Sequence, residues 1–137
     1  MPETILVVED DEDVAKITAS FLRAKKYDVV VANDGPTALQ LVTQRPPRVI
    51  LLDIMMPRMS GFEVLRILRE NPETATIPVI LVTAKVRNDD VIEGYQHGAD
   101  YYITKPCTAK QLLYGIGLVL GRTDAEPTVE AKTASQS

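Results

Sequence analysis

The sequence has one cysteine, one histidine and no tryptophan in 137 residues. Cys107 alone can build neither an intramolecular disulfide framework nor a cysteine zinc cluster. Long apolar runs are missing too. Uninterrupted ones such as Val49 to Leu52 and Val79 to Val82 are strand-sized, far below the roughly 18 residues that suggest a membrane span. The chain reaches Glu9, Asp10 and Asp11 almost at once, without the basic start and apolar stretch of a secretory signal. A cytoplasmic location is therefore expected. There is no excess of positive charge: 15 Lys and Arg against 19 Asp and Glu leave a formal net charge of -4. That argues against a free nucleic-acid-binding module, which would carry a basic face. What is present, 45% hydrophobic and 25% charged residues, is the composition of a globular protein. A chain of this length buries roughly 68 to 70% of its unfolded surface, enough for one core without disulfides or a structural metal.

Short β-branched runs alternate with longer segments whose apolar residues recur every three or four positions, the pattern of an α/β fold with a parallel sheet. Five such pairs fit. The predicted strands are Ile5 to Val8, Val29 to Ala32, Val49 to Leu52, Val79 to Val82 and Tyr101 to Ile103. Val49 to Leu52 has no polar interruption and so reads as buried on both faces. Val14, Ile17, Phe21 and Leu22 mark one face of a first helix, and Pro36 suits the first turn of a second carrying Ala38, Leu39 and Val42. A third helix runs from about Phe62 to Glu70, a fourth from roughly Asp89 to His97 with Gly98 as its cap. Thr108 with Gln111 forms a capping box opening the last helix, which ends by Gly121. The stretch 122–137, rich in Thr, Ala, Ser and Glu, is expected to be disordered.

In an open parallel sheet, ligands sit beyond the carboxyl ends of the strands. Strand one delivers Glu9, Asp10 and Asp11, strand three Asp53, strand four Thr83, and strand five Lys105-Pro106; strand two offers nothing comparable. In a 2-1-3-4-5 strand order these side chains would converge. Two or three neighbouring carboxylates repel unless a proton is retained or a cation bound. Hard oxygen ligands favour Mg²⁺, which works alongside phosphate oxygens. An Asp beside Mg²⁺ can attack a phosphoryl group to give an aspartyl phosphate, with a Lys and a hydroxyl stabilising the transferred oxygens.

The segments ILVVEDD, LLDIMMPRMSGFEVL, VILVTA and GADYYITKP resemble those of bacterial response-regulator receiver domains, over residues 4 to 121. The resemblance implies a doubly wound five-stranded parallel sheet of order 2-1-3-4-5 with helices on both faces. It also implies a receiver domain over 1–121 followed by the tail. It places the phosphoacceptor at Asp53, the Mg²⁺ ligands at Glu9, Asp10, Asp53 and the backbone carbonyl of Met55, and the phosphate-pairing lysine at Lys105. Thr83 matches the switch hydroxyl, Tyr102 the switch aromatic, Ala84 the small residue that leaves room for the phosphoryl group, and Pro106 the residue whose preceding peptide is usually cis. Cys107 departs from the bulkier apolar residue more often found there. The implied function is a switch of a two-component system or phosphorelay: a non-enzyme that takes its phosphoryl group from a histidine kinase or phosphotransfer protein and assists that transfer and its later hydrolysis.

Taken singly, these residues have plainer readings. Glu9 to Asp11 would complement a helix dipole, Thr83 and Lys105 would be a strand-end hydroxyl and a surface cation, and Met55, Met56 and Met59 would be loop packing. His97 reads as a helix-end residue and Cys107 as a small buried one. Other classes remain: a haloacid-dehalogenase-like hydrolase, which usually has a second Asp where Met55 stands; a flavin module, whose phosphate the acidic cluster would repel; and a pseudo-receiver that is never phosphorylated. Output is expected through a protein partner, not DNA, on the surface of the fourth helix, fifth strand and last helix. Tyr95, Tyr101 and Tyr114 cluster there. Helical spacing puts Leu112, Ile116, Val119 and Leu120 inward and turns Tyr114 and Leu118 to solvent, with Gly115 and Gly117 suiting close approach of a partner backbone. A monomer that dimerises on phosphorylation is compatible with this.

Overall fold

The computed structural model describes residues 3–84 and 87–121. The expected tail, 122–137, lies outside the described residues. Five strands, β1 (Thr4–Val8), β2 (Asp28–Ala32), β3 (Val49–Leu52), β4 (Val79–Thr83) and β5 (Tyr101–Thr104), form one parallel sheet of order β2-β1-β3-β4-β5. Between and after them run α1 (Glu12–Ala24), α2 (Gly35–Gln44), α3 (Gly61–Glu70), α4 (Asn88–Gln96) and α5 (Ala109–Val119). α3 and α4 each begin one residue before their sequence-based starts, α5 opens directly after the expected Thr108 cap, and the strand order is the one the resemblance implied.

Alternation along the strands splits the core in two. Leu6, Val8, Ile50, Leu52 and Leu81 face one side with α2 and α3, while Ile5, Val7, Val49, Leu51 and Ile80 face the other with α1 and α5. β3 is buried at every position, as its unbroken apolar run required. Local caps fix the helix starts: Asp11 accepts from the amides of Asp13 and Val14, Asp34 from Thr37, Ser60 from Glu63, and Thr108 with Gln111 makes the reciprocal capping box. Gly98 ends the α4 segment at φ +102, and the Lys105-Pro106 peptide is cis.

Two predicted faces differ. On α1 the buried stripe is Ala15, Ala19 and Leu22, and Ile17 is 70% exposed. Ile17 lies about 200° around the helix from Ala15, and small alanines let the helix lie close to the sheet. On α5, Leu112 and Ile116 are buried and Leu118 is 44% exposed, but Val119 and Leu120 are only half-buried. Tyr114 is half-buried as well, because its ring packs edge-on against Tyr101 with centroids 6.5 Å apart. Gly115 and Gly117 are buried within the domain. A Cβ on Gly115 would stand 3.0 Å from Tyr101, so that glycine serves the packing of α5 on β5 and not a partner's approach.

Candidate functional site

Strand register assembles the site. Val8 pairs with Leu52, and the next amide along, that of Asp53, donates to Val8 O at 3.1 Å. Glu9 and Asp53 therefore leave neighbouring strands side by side. On the other flank Thr83 pairs with Thr104, and the Lys105 amide donates to Thr83 O at 2.8 Å. The order β1-β3-β4-β5 does the rest, bringing all four strand ends to one edge.

The side chains meet there. Asp53 Oδ1 accepts from the Met55 amide at 3.0 Å, and Asp53 Oδ2 from Lys105 Nζ at 2.9 Å. Lys105 Nζ also donates to Glu9 Oε1, while Glu9 Oε2 accepts from the Asp11 amide at 3.2 Å. Glu9 is 5% exposed and Asp53 6%; Asp10 is exposed at the rim. Burial holds the Glu9 carboxyl above its ordinary 4.5, outweighing Lys105, which pulls it down. Burial also opposes charge on Lys105, but its hydrogen bonds to Glu9 and Asp53 win and hold it above 10.5.

One oxygen from each of Glu9, Asp10 and Asp53 lies within 4.8 Å of the others. Two members of that oxygen-only cluster, Glu9 and Asp53, already share a cation, the Lys105 ammonium, and the cluster's chemistry fits Mg²⁺. Thr83 is fully buried, Ala84 lines the same cleft of about 540 Å³ as Glu9, Asp53 and Lys105, and Cys107 forms part of its wall. Burial raises the Cys107 thiol above its ordinary 9.0, with Lys105 pulling weakly the other way, so it is a poor nucleophile at neutral pH. The half-buried Tyr102 has its hydroxyl pushed up to about 12, by burial first and then by the charges of Asp90 and Asp53. The structure thus brings together Glu9, Asp10, Asp53 and Lys105, with Thr83 at the adjoining end of β4 and Tyr102 in electrostatic reach. Met56 and Met59 pack against the core while Met55 is exposed. His97 caps α4 and sits on the Phe62 ring, 5.3 Å between centroids. The Asp11 side chain caps α1, outside the acidic cluster, while its amide holds Glu9 Oε2.

Two residues escaped the sequence reading. Asn33, just after β2, donates its amide to Glu9 O at 3.1 Å, so strand two does contribute. Gly61 opens α3 so close to the loop after β3 that an added Cβ would stand 2.2 Å from Asp53 O. The Asn33-Asp34-Gly35-Pro36 turn concealed the first; for the second, a glycine directly after a serine cap was the available signal.

This fold and acidic edge define a response-regulator receiver. The chain matches the family model described as response regulator receiver domain over residues 5–116, and it belongs to that family, the phosphorylation-switched input module of two-component systems. It is 39% identical over 127 residues to the DNA-binding response regulator MtrA of Mycobacterium tuberculosis, covering 93% of this chain and 54% of that protein. The chain spans about half the length of the MtrA relatives it matches. Among solved structures, a putative response regulator from Chloroflexus aurantiacus superposes with a TM-score of 0.85 at 32% identity, covering 89% of this chain and 100% of that one. The receiver domain of the sensor histidine kinase PA1611 from Pseudomonas aeruginosa, with magnesium coordinated in its active-site cleft, gives 0.82 at 26% identity, covering 88% and 99%. No helix among the described residues is long and apolar enough to cross a membrane.

Proposed function

We propose that the chain is a phosphoacceptor that takes a phosphoryl group on Asp53 from a histidine kinase or phosphotransfer protein and signals through α4, β5 and α5 to a protein target. The observation that carries this is the convergence of Glu9, Asp53 and Lys105 in one buried hydrogen-bonded group at the carboxyl edge. An Asp53 oxygen attacks phosphorus, the bond from phosphorus to the donor nitrogen breaks, and an acyl phosphate forms with the donor histidine as leaving group. Mg²⁺, held by Glu9, Asp10, Asp53 and the Met55 carbonyl, would supply positive charge against the phosphoryl oxygens. Lys105 then moves its ammonium from Asp53 to a transferred oxygen, and the Thr83 hydroxyl contacts another. The chain assists its own phosphorylation and hydrolysis and turns over no separate substrate. The test is peptide mapping after treatment with a small acyl phosphate: one phosphoryl group on Asp53 is expected, and modification of Glu9 or Asp10 instead would overturn the reading.

For output, the exposed apolar groups are Ile92, Tyr95 and Leu118. Tyr114 contributes less than its spacing suggested, being stacked on Tyr101. Leu118→Ser and Tyr95→Ala should each weaken phosphorylation-dependent partner capture by at least about 1 kcal/mol while leaving Asp53 labelling intact. Capture at wild-type affinity by both variants places the interface elsewhere.

A further inference from the structure

α4 buries few side chains against the sheet. Among the described residues of this helix Gly94 alone is buried, and its N-cap, Arg87, makes no side-chain capping bond. Ile92 is 55% exposed and Tyr95 44%, with the Tyr95 hydroxyl reaching back to the Tyr102 backbone. A glycine is among the poorest helix formers, so its place at the middle of the contact face needs a local cause. That cause is proximity. A Cβ at Gly94 would stand 2.7 Å from Leu81 Cδ1 and 3.3 and 3.4 Å from Cδ2 and Cε2 of Tyr102. Leu81 and Tyr102 are register partners on β4 and β5, so their side chains stand side by side under the helix. Leu81 is fully buried, so in a close-packed interior its side chain yields only by displacing its neighbours.

We propose that Gly94 is the joint between Tyr102 and α4: its missing side chain seats the helix backbone directly on the aromatic ring, so that a displacement of the ring moves α4. This rests on the phosphoacceptor reading of Asp53 and adds the residue that positions the helix. The Tyr102 hydroxyl lies within electrostatic reach of Asp53, and a phosphoryl group there changes charge and bulk at the inner end of the same layer. With a methyl group at position 94, α4 must rise off Leu81 and Tyr102, and ring and helix part company. Gly94→Ala would by propensity alone strengthen α4, so loss of its response cannot come from a weaker helix.

Hydrogen exchange of residues 88–97, followed by mass spectrometry before and after treatment with acetyl phosphate and Mg²⁺, tests the joint in the full chain. In the wild type the exchange rate of this segment should change by about threefold or more on phosphorylation. Gly94→Ala should take up the same phosphoryl group yet show little further change. Adding Leu81→Val, which removes the atom at 2.7 Å, should restore the response. Tyr102→Leu, which adds nothing at position 94, should silence α4 by removing the ring. A wild-type response in Gly94→Ala or in Tyr102→Leu, a folded double variant that stays silent, or a wild type whose α4 ignores phosphorylation overturns the joint and leaves the phosphoacceptor reading standing. A wild type that takes up no phosphoryl group overturns both.

Discussion

Gly61→Ala should cost the fold at least about 3 kcal/mol, a fall in melting temperature on the order of 10 °C for a domain of this size. The added Cβ would meet Asp53 O at 2.2 Å, Ile54 Cα at 2.7 Å and Asp53 C at 2.9 Å. All three are backbone atoms, so no side-chain rotation relieves the overlap. The Gly61 amide meanwhile donates to Ile54 O at 2.9 Å, and α3 can retreat only by breaking that bond. Since two of the atoms displaced belong to Asp53, the proposed phosphoacceptor, phosphorylation should slow along with the loss of stability. Thermal unfolding and acyl-phosphate labelling of the same preparation decide this. A loss below about 1 kcal/mol with wild-type labelling would mean that loop and helix are less tightly joined than these distances require.

The second large effect is expected from Lys105→Met. Its ammonium bridges Glu9 and Asp53, both almost wholly buried, and its removal leaves two facing carboxylates without the cation. Breaking a fully buried pair costs about 3 to 5 kcal/mol; discounting for the partly exposed lysine, roughly 2 kcal/mol is expected in metal-free buffer near neutral pH. The pH dependence has a definite sign. Glu9 is held above its ordinary 4.5, chiefly by burial, so the folded chain binds that proton more tightly than the unfolded chain. The stability this contributes is complete below 4.5 and is lost as pH rises through the raised value. Lys105 is held above 10.5, so its contribution is present across the neutral range and is lost only as pH rises through that higher value. Without Lys105 the loss above 4.5 should steepen, and mild acid or added Mg²⁺ should recover most of the deficit. The variant should also bind Mg²⁺ more tightly than wild type, having no resident cation to displace. Denaturant titrations across pH, with and without Mg²⁺, check all of this; equal stabilities in metal-free buffer would show that Lys105 does not hold the pair.

Much of this architecture was legible because strand burial and strand ends obey strong rules. β3 reads directly as a doubly buried strand, and the residue after it, Asp53, had to emerge at the sheet edge. The strand order needed the family resemblance, since periodicity carries no information on which strands are neighbours. What periodicity misjudged was the size of the buried residues: α1 turns Ala15 and Ala19 inward and leaves Ile17 out, because close approach of helix to sheet favours the smaller side chain. Gly115 looked like an opening for a partner and is instead filled by Tyr101. Gly61 and Asn33 act through contacts with backbone atoms outside their own elements; a glycine directly after a serine cap was a weak local sign of the first, and nothing local marked the second.

The most direct test of the phosphoacceptor is the intact mass of the chain after incubation with a small acyl phosphate, with Mg²⁺ or with EDTA, beside Asp53→Asn. The carboxylates of Glu9, Asp10 and Asp53 lie within 4.8 Å of one another and repel an incoming phosphoryl anion unless a divalent cation is held among them. One added phosphoryl group is expected on the wild type with Mg²⁺, and none with EDTA or on Asp53→Asn. Labelling that survives EDTA, or that persists undiminished in Asp53→Asn, would contradict it.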